Sequence, residues 1–385
     1  MGKSKLTPVM KKLFFMLFVF CFLSYDTSAQ MAGCTDPQAT NFNTAATYND
    51  GSCIYAPVTQ TLGLTINLPS QLNEISGMIY YNSHLYGLLD SGGGNAIYQI
   101  NPATGVITKT IILAGTTNVD WEDITQDATH IYVCDTGNNV SGNRTDLKIY
   151  KFPNDALTAP GSTITIASSQ IETISFSYED QTIGAPTAVN STRFDCEAVA
   201  FNRGKLHLFT KNWLGSHSVH YVLPTSAGLH QAQRLDSIPT GNIKITGADF
   251  GAFDQLILIG YETVGTANCA LFLDYGFDGS YFYFNTGCKR RLDIGSALSI
   301  GQVEAICFEN PLKGYISNER FNPIFIIDVP PRLTPFDITE RIIDYYKHNP
   351  LALTGIPPQV GMIRFNSDTK KTEGYDGTHW VILSP

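Results

Sequence analysis

The chain has 385 residues, of which 43% are hydrophobic, 11% aromatic and only 15% charged. This composition excludes a disordered chain, which lacks the apolar surface needed to offset the entropy of ordering. The 33 glycines and 19 prolines favour many turns over long helices, and a net charge of −9 argues against a broad nucleic-acid-binding surface. We therefore expect an acidic, β-rich protein.

Residues 1–29 have the pattern of an export signal. A lysine-rich stretch (residues 3–12) precedes an apolar run (residues 13–25), and small residues at Thr27 and Ala29 predict cleavage before Gln30. A membrane anchor is the alternative, but this run is shorter than the ~20 residues needed to span a bilayer. We predict a secreted or cell-surface protein with no transmembrane segment in the mature chain.

The cysteines are interpreted in the light of this predicted export, because an oxidising compartment permits disulfides. Cys34 with Cys53, and Cys269 with Cys288, are the two plausible bridges. A second cleavage option, a lipoprotein-like box, ends at Cys34 but lies far beyond the apolar run. Three further cysteines lie in apolar, strand-like runs, where a buried free thiol is the expected state: Cys134, Cys196 and Cys307.

Residues 30–57 form a polar segment rich in Asn, Asp, Thr and Gly, bounded by Cys34 and Cys53. It resembles the short repeats of C-x-D-P-x-A-x-N-[YF]-[ND]…DGSC type in surface proteins of Gram-negative bacteria, which are loosely similar to thrombospondin type-3 calcium repeats. The resemblance implies a surface protein, with Asp36 and Asp50 as oxygen ligands that suit Ca²⁺. A disulfide-stapled loop without a metal is the alternative.

An internal repeat spans residues 58–332. An apolar strand opened by an acid recurs at Glu74, Glu122, Glu197 and Glu304, and Thr246–Phe250 fits the same frame with the acid displaced to Asp249. A second and a third strand follow each opening, and fourth strands are proposed at residues 105–113 and 171–178. A period near 50 residues with three or four strands per unit predicts an all-β fold, a β-propeller. Five blades are visible, and a sixth would need strands that the sequence does not show.

The last unit is expected to take its third strand from the segment IFIIDV (residues 324–329) and to end at the prolines that follow. It lacks a fourth strand, and TQTLGLTINL (residues 59–68) is the candidate that would close the ring and remove two exposed sheet edges. The alternative fold is a β-sandwich whose strand spacing repeats by coincidence.

After the repeat, residues 333–352 are predicted to form a helical linker, because residues 336–348 have helical apolar spacing. Residues 353–385 are predicted to form a small β module of two hairpins. This tail resembles terminal modules of G-M-[IR]-[RY]-[FY]-N…EGY-[DN]-G-T-x-W type in phage tail fibres and bacterial surface proteins, which implies a surface or assembly role.

The blade-opening acids are the main candidate for chemistry. In a propeller the first strand of each blade lines the central channel, so Glu74, Glu122, Glu197 and Glu304 would form an acidic ring. Carboxylates packed together raise one another's pKa unless a cation neutralises them, so a central Ca²⁺ or a general acid–base pair is expected. The structural alternative is that these acids accept hydrogen bonds from backbone N–H groups of neighbouring blades.

Further polar residues are expected to face the same channel. Asp120 and Asp195 lie two residues before a ring glutamate, and therefore on the same side of an extended strand. The second strands end in Asp90, Asp135 and Lys211. Together with Glu74, these are the predicted ligand-binding residues. The basic cluster at residues 289–291 is expected to be solvated.

The repeat region resembles secreted propellers of the lactonase and gluconolactonase kind, which implies calcium held in the channel by the blade-opening glutamates. It also resembles exported bacterial proteins whose blades open with V-D-W-E-D-I and D-x-E-A, here residues 119–124 and 195–198. No G-x-S-x-G or H-E-x-x-H motif is present.

We therefore predict an exported binding or interaction protein with a Ca²⁺ site, whose ligand class (small molecule, glycan or protein) stays open. The alternative is a calcium-dependent hydrolase of lactones, esters or glycans that acts through Glu122, Glu197 and Glu304.

Overall fold

The computed structural model describes residues 30–349 apart from 264, 266, 325 and 326, and also residues 363–366, 371–375 and 380–382. The predicted export signal lies outside the described residues. Strands dominate the described chain, and one arrangement recurs along it: four antiparallel strands that lie side by side in one sheet. We number these four-stranded units 1 to 5.

Units 1 and 3 use consecutive strands of the chain, whereas unit 2 skips the short strand Thr163–Ile166, which pairs with unit 1. Unit 1 consists of Ile75–Tyr81, His84–Leu89, Ala96–Ile100 and Ile107–Leu113. Unit 2 consists of Trp121–Gln126, His130–Asp135, Lys148–Pro153 and Glu172–Tyr178. Unit 3 consists of Cys196–Asn202, Lys205–Thr210, His217–Pro224 and Gly228–Pro239. The fourth strands predicted at residues 105–113 and 171–178 are confirmed.

Units 4 and 5 complete the series. Unit 4 consists of Ile243–Phe250, Leu256–Glu262, Asn268–Tyr275 and Cys288–Ser296. Unit 5 consists of Gln302–Asn310, Lys313–Glu319, Arg332–Asp337 and the early strand Ile66–Asn67. The first strand of each unit contacts the first strand of the next, and that of unit 5 contacts that of unit 1. The units therefore form a closed ring, and the predicted propeller class is confirmed.

The strands are apolar on both faces because each unit is packed between two others. In Leu256–Glu262 of unit 4, Leu256 and Leu258 join one buried cluster while Ile257 and Ile259 join another. Successive side chains of a strand point to opposite faces, so one strand serves the cores on both sides of its sheet. The inner strands approach closely: a Cβ on Gly77 would lie 2.7 Å from Cα of Asp123 in unit 2, a distance that only glycine tolerates.

The ring closes where the sequence predicts. Ile66 and Asn67, from the candidate closing segment, pair antiparallel with Leu333 and Arg332. The third strand of unit 5 is nevertheless Arg332–Asp337 and not the predicted segment, of which Ile327–Val329 pairs with Phe321–Ile324 in a separate two-stranded sheet. Pro335 is compatible with this strand because the closing strand pairs only as far as Leu333, and a proline is tolerated where no partner needs its N–H.

Additional strand pairings link units at their outer edges. Glu172–Tyr178 pairs in parallel with Gly228–Pro239, which joins units 2 and 3 into one eight-stranded sheet. Thr163–Ile166 adds to the edge of unit 1, and Val58–Thr59 adds to the edge of unit 4. A sheet edge that is covered in this way is protected from pairing with other chains.

Helices are short and peripheral. The longest in the described residues is Thr339–His348, which lies within the predicted span 336–348. Single turns of α-helix lie at Tyr283–Thr286 and Ala297–Ile300, and 3₁₀ turns at Ser70–Leu72, Asn154–Thr158 and Ser168–Gln170. None of the described helices is both long and apolar enough to cross a membrane.

The two flanking segments contain small strands of their own. In the N-terminal segment Ala32–Gly33 pairs in parallel with Tyr48–Asn49. In the tail Ile363–Asn366, Lys371–Tyr375 and Trp380–Ile382 form an antiparallel sheet, which is the pairing that two successive hairpins require.

The cysteines agree only in part with expectation. Cys34 and Cys53 form the predicted disulfide. Cys269 and Cys288 do not: both are free and buried. They lie at opposite ends of their hairpin, because Cys269 pairs with Gly295 and Cys288 pairs with Tyr275. The three cysteines predicted to be buried free thiols are confirmed: Cys134, Cys196 and Cys307.

Candidate functional site

A β-bulge at one position of every inner strand builds the centre of the ring. In each unit the pairing between the first and second strands skips one residue near the start of the inner strand. A bulge leaves one residue out of the ladder and re-aims its side chain. The residues at the five bulges, in order from unit 1 to unit 5, are Ser76, Glu122, Glu197, Thr246 and Glu304.

This register corrects the predicted acidic ring in unit 1. Glu74 is exposed in the turn before the first strand, and the residue equivalent to Glu122 is Ser76, two positions later. In unit 4 the equivalent residue is Thr246, and the displaced acid Asp249 lies further along the strand. The sequence frame placed the acid of unit 1 wrongly because a shift of two residues keeps every side chain on the same face of the strand, so the apolar pattern does not reveal it.

The two hydroxyl side chains at the bulges have a structural role. The Ser76 hydroxyl donates to the carbonyl of Trp121 in unit 2 at 3.0 Å, and the Thr246 hydroxyl donates to the carbonyl of Val303 in unit 5 at 2.8 Å. Each of these carbonyls belongs to the residue just before a bulge glutamate. Units 1 and 4 therefore support the backbone that carries Glu122 and Glu304.

Carboxylates converge on one side of the ring in two overlapping groups. Oxygen atoms of Asp90, Asp120 and Glu122 lie within 4.8 Å of one another, as do oxygens of Glu122, Asp195 and Glu197. Glu122 belongs to both groups, and among the described residues no hydrogen-bond donor reaches its carboxylate. A spacing of up to 4.8 Å suits oxygens on opposite sides of a Ca²⁺ ion, whose ligands lie at about 2.3–2.6 Å.

A glycine makes room for these carboxylates. A Cβ on Gly137 would lie 2.1 Å from Oε1 of Glu122 and 2.3 Å from Oδ2 of Asp120. Gly137 is held in place by its N–H, which donates to the carbonyl of Asp120 at 3.2 Å. The backbone of the segment after the second strand of unit 2 therefore forms a cradle for two acid groups, which any other residue would fill.

The acid groups open into a pocket of about 370 Å³ to which all five units contribute. Of the described residues, six carboxyl side chains but a single ammonium group line it. The acids are Asp90, Glu122, Glu197, Glu262, Glu304 and Glu319, and the ammonium group is that of Lys211. Asn139, Asn190, Trp213, Tyr261 and Gln302 add amide, indole and hydroxyl groups to the lining.

Lys211 is the positive centre of this pocket. Its ammonium group donates to Oε2 of Glu197 at 2.5 Å and lies 5.2 Å from the ring centres of both Trp213 and Tyr261. Burial alone would lower its pKa, but the carboxylates of Glu197 and Glu304 raise the pKa of Lys211 well above its ordinary value. Lys211 therefore remains charged and neutralises one of the acids.

The remaining carboxyl groups have little positive charge nearby to offset their burial. Burial, followed by repulsion from Asp90, raises the pKa of Asp120 to about 7. Burial raises the pKa of Glu304 to about 7 as well, although Lys211 opposes the change. Burial and then the Glu197 carboxylate raise the pKa of Glu122 well above its ordinary value. A bound cation would remove this penalty, because it supplies the charge that the protein lacks.

Two of the predicted ligand residues act mainly as supports. Asp195 accepts a hydrogen bond from the backbone N–H of Asn138 at 2.6 Å and another from the indole of Trp213 at 2.7 Å. Asp135 is fully buried, accepts the backbone N–H of Asp120 at 3.1 Å and is paired with Arg144 at 2.8 Å. These contacts fix the position of Asp120 and the orientation of the Trp213 side chain.

The two candidate ligands of the N-terminal segment are not brought together with other acids. The Asp36 carboxylate accepts hydrogen bonds from the hydroxyls of Tyr55, at 2.7 Å, and Tyr275. Asp50 is exposed and accepts the N–H of Ser52 within its own turn at 3.0 Å. Neither belongs to the groups of converging carboxylates found in the described part of the chain.

Sequence reasoning missed the neutral members of the site. Tyr261, Gln302 and Gly137 carry no charge and stand in no recurring motif, so only their position in the ring reveals them. Gln302 donates to Glu304 at 2.6 Å and to Glu319 at 3.2 Å, and so holds two acids together. In the sequence, only the position of Gln302 at the start of the inner strand of unit 5 indicated that it could belong to the site.

Comparisons with known proteins add resemblances of fold. No family model matches the chain, and no curated protein matches it. The PQQ-bound aldose sugar dehydrogenase of Streptomyces coelicolor is 10% identical, with a TM-score of 0.42 over 73% of this chain and 99% of that one. The gluconolactonase XC5397 of Xanthomonas campestris is 12% identical, with a TM-score of 0.38 over 90% and 94% of the two chains.

A calcium-binding protein, regucalcin from Agrobacterium tumefaciens, is also similar. It is 9% identical, with a TM-score of 0.39 over 73% of this chain and 95% of that one. With identities near a tenth and TM-scores below 0.5, these likenesses carry no argument about the ligand or reaction of this chain. The site is therefore interpreted from its own residues.

Proposed function

We propose that this protein binds Ca²⁺ in the central channel and uses it to hold a small polar ligand in the adjoining pocket. The observation that carries the proposal is the convergence of five carboxylates on one side of the ring, with Glu122 shared between two groups and reached by no hydrogen-bond donor of the described residues. An all-oxygen, anionic donor set suits a hard cation such as Ca²⁺.

The residues fit such an ion in charge as well as in chemistry. Asp90, Asp120 and Glu122 would hold it, because in the second group Asp195 already accepts two hydrogen bonds and Glu197 is paired with Lys211. The cradle at Gly137 keeps two of these carboxylates close together. When bound, the ion would supply positive charge and open coordination positions for oxygen atoms of a ligand.

Calcium titration of the purified protein by calorimetry tests this function. Wild type should bind Ca²⁺, and a chelator should lower its melting temperature. Glu122→Gln should abolish binding, because it removes the carboxylate that both groups share. Glu309→Gln is the matched control, since Glu309 is exposed and lies on the same strand as Glu304. Absence of binding to wild type, or equal loss in both variants, would overturn the proposal.

A hydrolase is the second candidate function. The observation that favours it is that two buried carboxyl groups have pKa values raised to about 7, those of Asp120 and of Glu304, the second one facing the charge of Lys211. A general acid or base works best with a pKa near the operating pH. A screen of lactones, esters and glycosides, on wild type and on Glu197→Gln and Glu304→Gln, tests it. Activity that both substitutions leave unchanged would exclude this site.

We also propose that the protein acts outside the cytoplasm, after removal of residues 1–29. The pattern of lysines, apolar run and small residues before Gln30 supports export, and the disulfide Cys34–Cys53 agrees with an oxidising compartment. Mass spectrometry of the protein expressed from its full gene should find Gln30 at the N-terminus. An intact Met1 would contradict the prediction.

A further inference from the structure

The N-terminal disulfide lies in contact with a third cysteine. Sγ of Cys288, at the start of the last strand of unit 4, lies 3.6 Å from Sγ of Cys53, whose disulfide partner is Cys34. Cys288 is fully buried, and it is far from Cys269, the partner that the sequence suggested. A free thiol is therefore held against one sulfur of an existing disulfide.

The surroundings of these sulfurs hold the N-terminal segment onto unit 4. The side-chain amide of Asn49 donates to Sγ of Cys288 at 3.3 Å and to the carbonyl of Thr286 at 2.9 Å. The ammonium group of Lys289 donates to the carbonyl of Gly51 at 3.1 Å. The contact between the sulfurs is thus fixed by hydrogen bonds on both sides.

Arg290 adds to the same attachment. It is buried, stacks over the ring of Tyr55 at 4.6 Å and donates to the side chain of Gln38 at 2.7 Å. The basic cluster at residues 289–291 is therefore not simply solvated, because two of its members bind the N-terminal segment.

We propose that Cys34, Cys53 and Cys288 form a thiol–disulfide exchange site. The thiolate of Cys288 attacks Sγ of Cys53 and a Cys53–Cys288 bond forms. The Cys34–Cys53 bond breaks, and the sulfur of Cys34 leaves as a thiolate that takes up the proton lost by Cys288. One disulfide is exchanged for another, so no external oxidant or reductant is consumed.

The exchange changes what the covalent bond connects. The Cys34–Cys53 bond closes a loop within the N-terminal segment, with a sequence separation of 19. A Cys53–Cys288 bond would span a separation of 235 and tie the segment to the outer strand of unit 4. A longer loop constrains the unfolded chain more strongly, so the exchanged form is the more strongly stapled one.

Burial of Cys288 makes the exchange slow at neutral pH. Burial raises the pKa of the Cys288 thiol to about 12, so only a small fraction is thiolate at neutral pH. Because the thiolate is the attacking species, the exchange rate should rise about tenfold with each pH unit between about pH 7 and 9.

The first experiment removes the present partner of Cys53. The Cys34→Ser protein is equilibrated in a buffer of oxidised and reduced glutathione, quenched in acid, alkylated and mapped by mass spectrometry without reduction. We expect peptides that contain Cys53 and Cys288 to be linked in most molecules. A folded protein in which Cys53 carries glutathione and Cys288 remains a thiol would overturn the proposal.

The second experiment uses the unmodified protein and so does not depend on the folding of that variant. Wild type is incubated with N-ethylmaleimide in the absence of reductant, and the alkylation of Cys34 is followed at pH 7, 8 and 9. Exchange is the step that exposes this sulfur as a thiol, so we expect a rise of about 100-fold over the two units.

The matched controls are two substitutions of buried free cysteines in unit 4. Cys288→Ser should abolish the alkylation of Cys34, whereas Cys269→Ser should leave it as in wild type. Alkylation of Cys34 at the same rate in Cys288→Ser as in wild type would overturn the proposal, as would its absence from wild type at pH 9.

Discussion

Two sets of buried acids lie on the same inner strands but have opposite environments. Between the units, Asp123 accepts the N–H groups of Ile124 and of Val199 in unit 3, both at 2.8 Å. Asp249 accepts those of Phe250 and of Phe308 in unit 5, also at 2.8 Å. We call this pair the seam acids. In the channel, Glu122 has no such donor, although it directly precedes Asp123 in the chain.

Burial alone does not distinguish an acid with a structural role from an acid of a binding site. Burial raises the pKa of Asp249 to about 7, and it raises the pKa of Glu304 to about 7 as well. What differs is the supply of backbone donors. The seam acids satisfy N–H groups that would otherwise be unpaired between two units, whereas Glu122 has no such donor among the described residues and leaves its oxygens free for a ligand.

The largest expected effect is on a seam acid. Asp123→Ala should lower the free energy of unfolding by about 2–4 kcal/mol, because it leaves two buried N–H groups without an acceptor. Urea denaturation of the mutant and wild type measures the difference. Glu122→Gln, one residue away, should lower the free energy of unfolding far less in the absence of Ca²⁺. Equal losses of unfolding free energy in the two variants would show that Asp123 and Glu122 do not differ in structural role.

The next largest effect is expected on Ca²⁺ affinity when Gly137, which forms the cradle, is replaced. Gly137→Ala should weaken Ca²⁺ binding by about 10–100-fold, because its Cβ would occupy the space of the carboxylates of Glu122 and Asp120. The atoms nearest to this Cβ would be the ends of two side chains and not backbone, so the fold should change little, and calorimetry with circular dichroism separates the two effects. A variant that binds Ca²⁺ like wild type would show that these two acids are not ligands.

The next prediction concerns the channel acid Glu304 and the dependence of the free energy of unfolding on pH. In the presence of chelator, the raised pKa of Glu304, about 7, means that the folded state holds this proton more tightly than the unfolded state. Its stabilisation is therefore fully present below about pH 4 and is lost as the pH rises through about 7. We expect a loss on the order of 1 kcal/mol between about pH 5 and 7.

The control for this measurement is Glu304→Gln, which should make the profile of the free energy of unfolding against pH less steep in that range, because Asp120 and Asp249 still titrate there. Calcium should reverse the trend in wild type, because the ion competes with protons and binds more strongly at higher pH. A wild-type profile that Ca²⁺ does not change between about pH 5 and 7 would contradict a cation site in the channel.

The smallest expected effect is on the hydroxyl bulges. Ser76→Ala and Thr246→Val each remove one hydrogen bond to the backbone of the next unit, which should cost about 0.5–1.5 kcal/mol in unfolding free energy. Ca²⁺ affinity should stay within about threefold of wild type (about 0.65 kcal/mol), since neither hydroxyl belongs to the acid groups. A large loss of affinity would place these residues in the site.

Much of the ring could be predicted from the sequence, because a repeating unit leaves repeating apolar strands. The order of the units, their inner strands and the closing strand at Ile66–Asn67 all follow from that pattern. The third strand of unit 5 could not be predicted, since both residues 324–329 and Arg332–Asp337 are strand-like and only the pairing distinguishes them.

The site could be predicted only in part. Glu122, Glu197 and Glu304 stand at the bulges as an acidic ring requires, but Ser76 replaces the expected acid of unit 1. The role of Asp123 was invisible because its donor, the N–H of Val199, lies 76 residues away in the chain. Contacts between neighbouring units follow from register, and a bulge shifts the register without changing the composition.

The closing strand has a consequence for how the chain reaches its native state. Ile66–Asn67 finds its partner at Arg332 and Leu333, which are synthesised some 265 residues later. Contacts of such sequence separation form slowly, because loop-closure entropy is lost before they contribute. The early strand Ile66–Asn67 therefore stays unpaired until nearly the whole repeat region has emerged. A nascent chain interrupted before Arg332 would carry two unpaired edges, which makes completion of synthesis the final step of assembly.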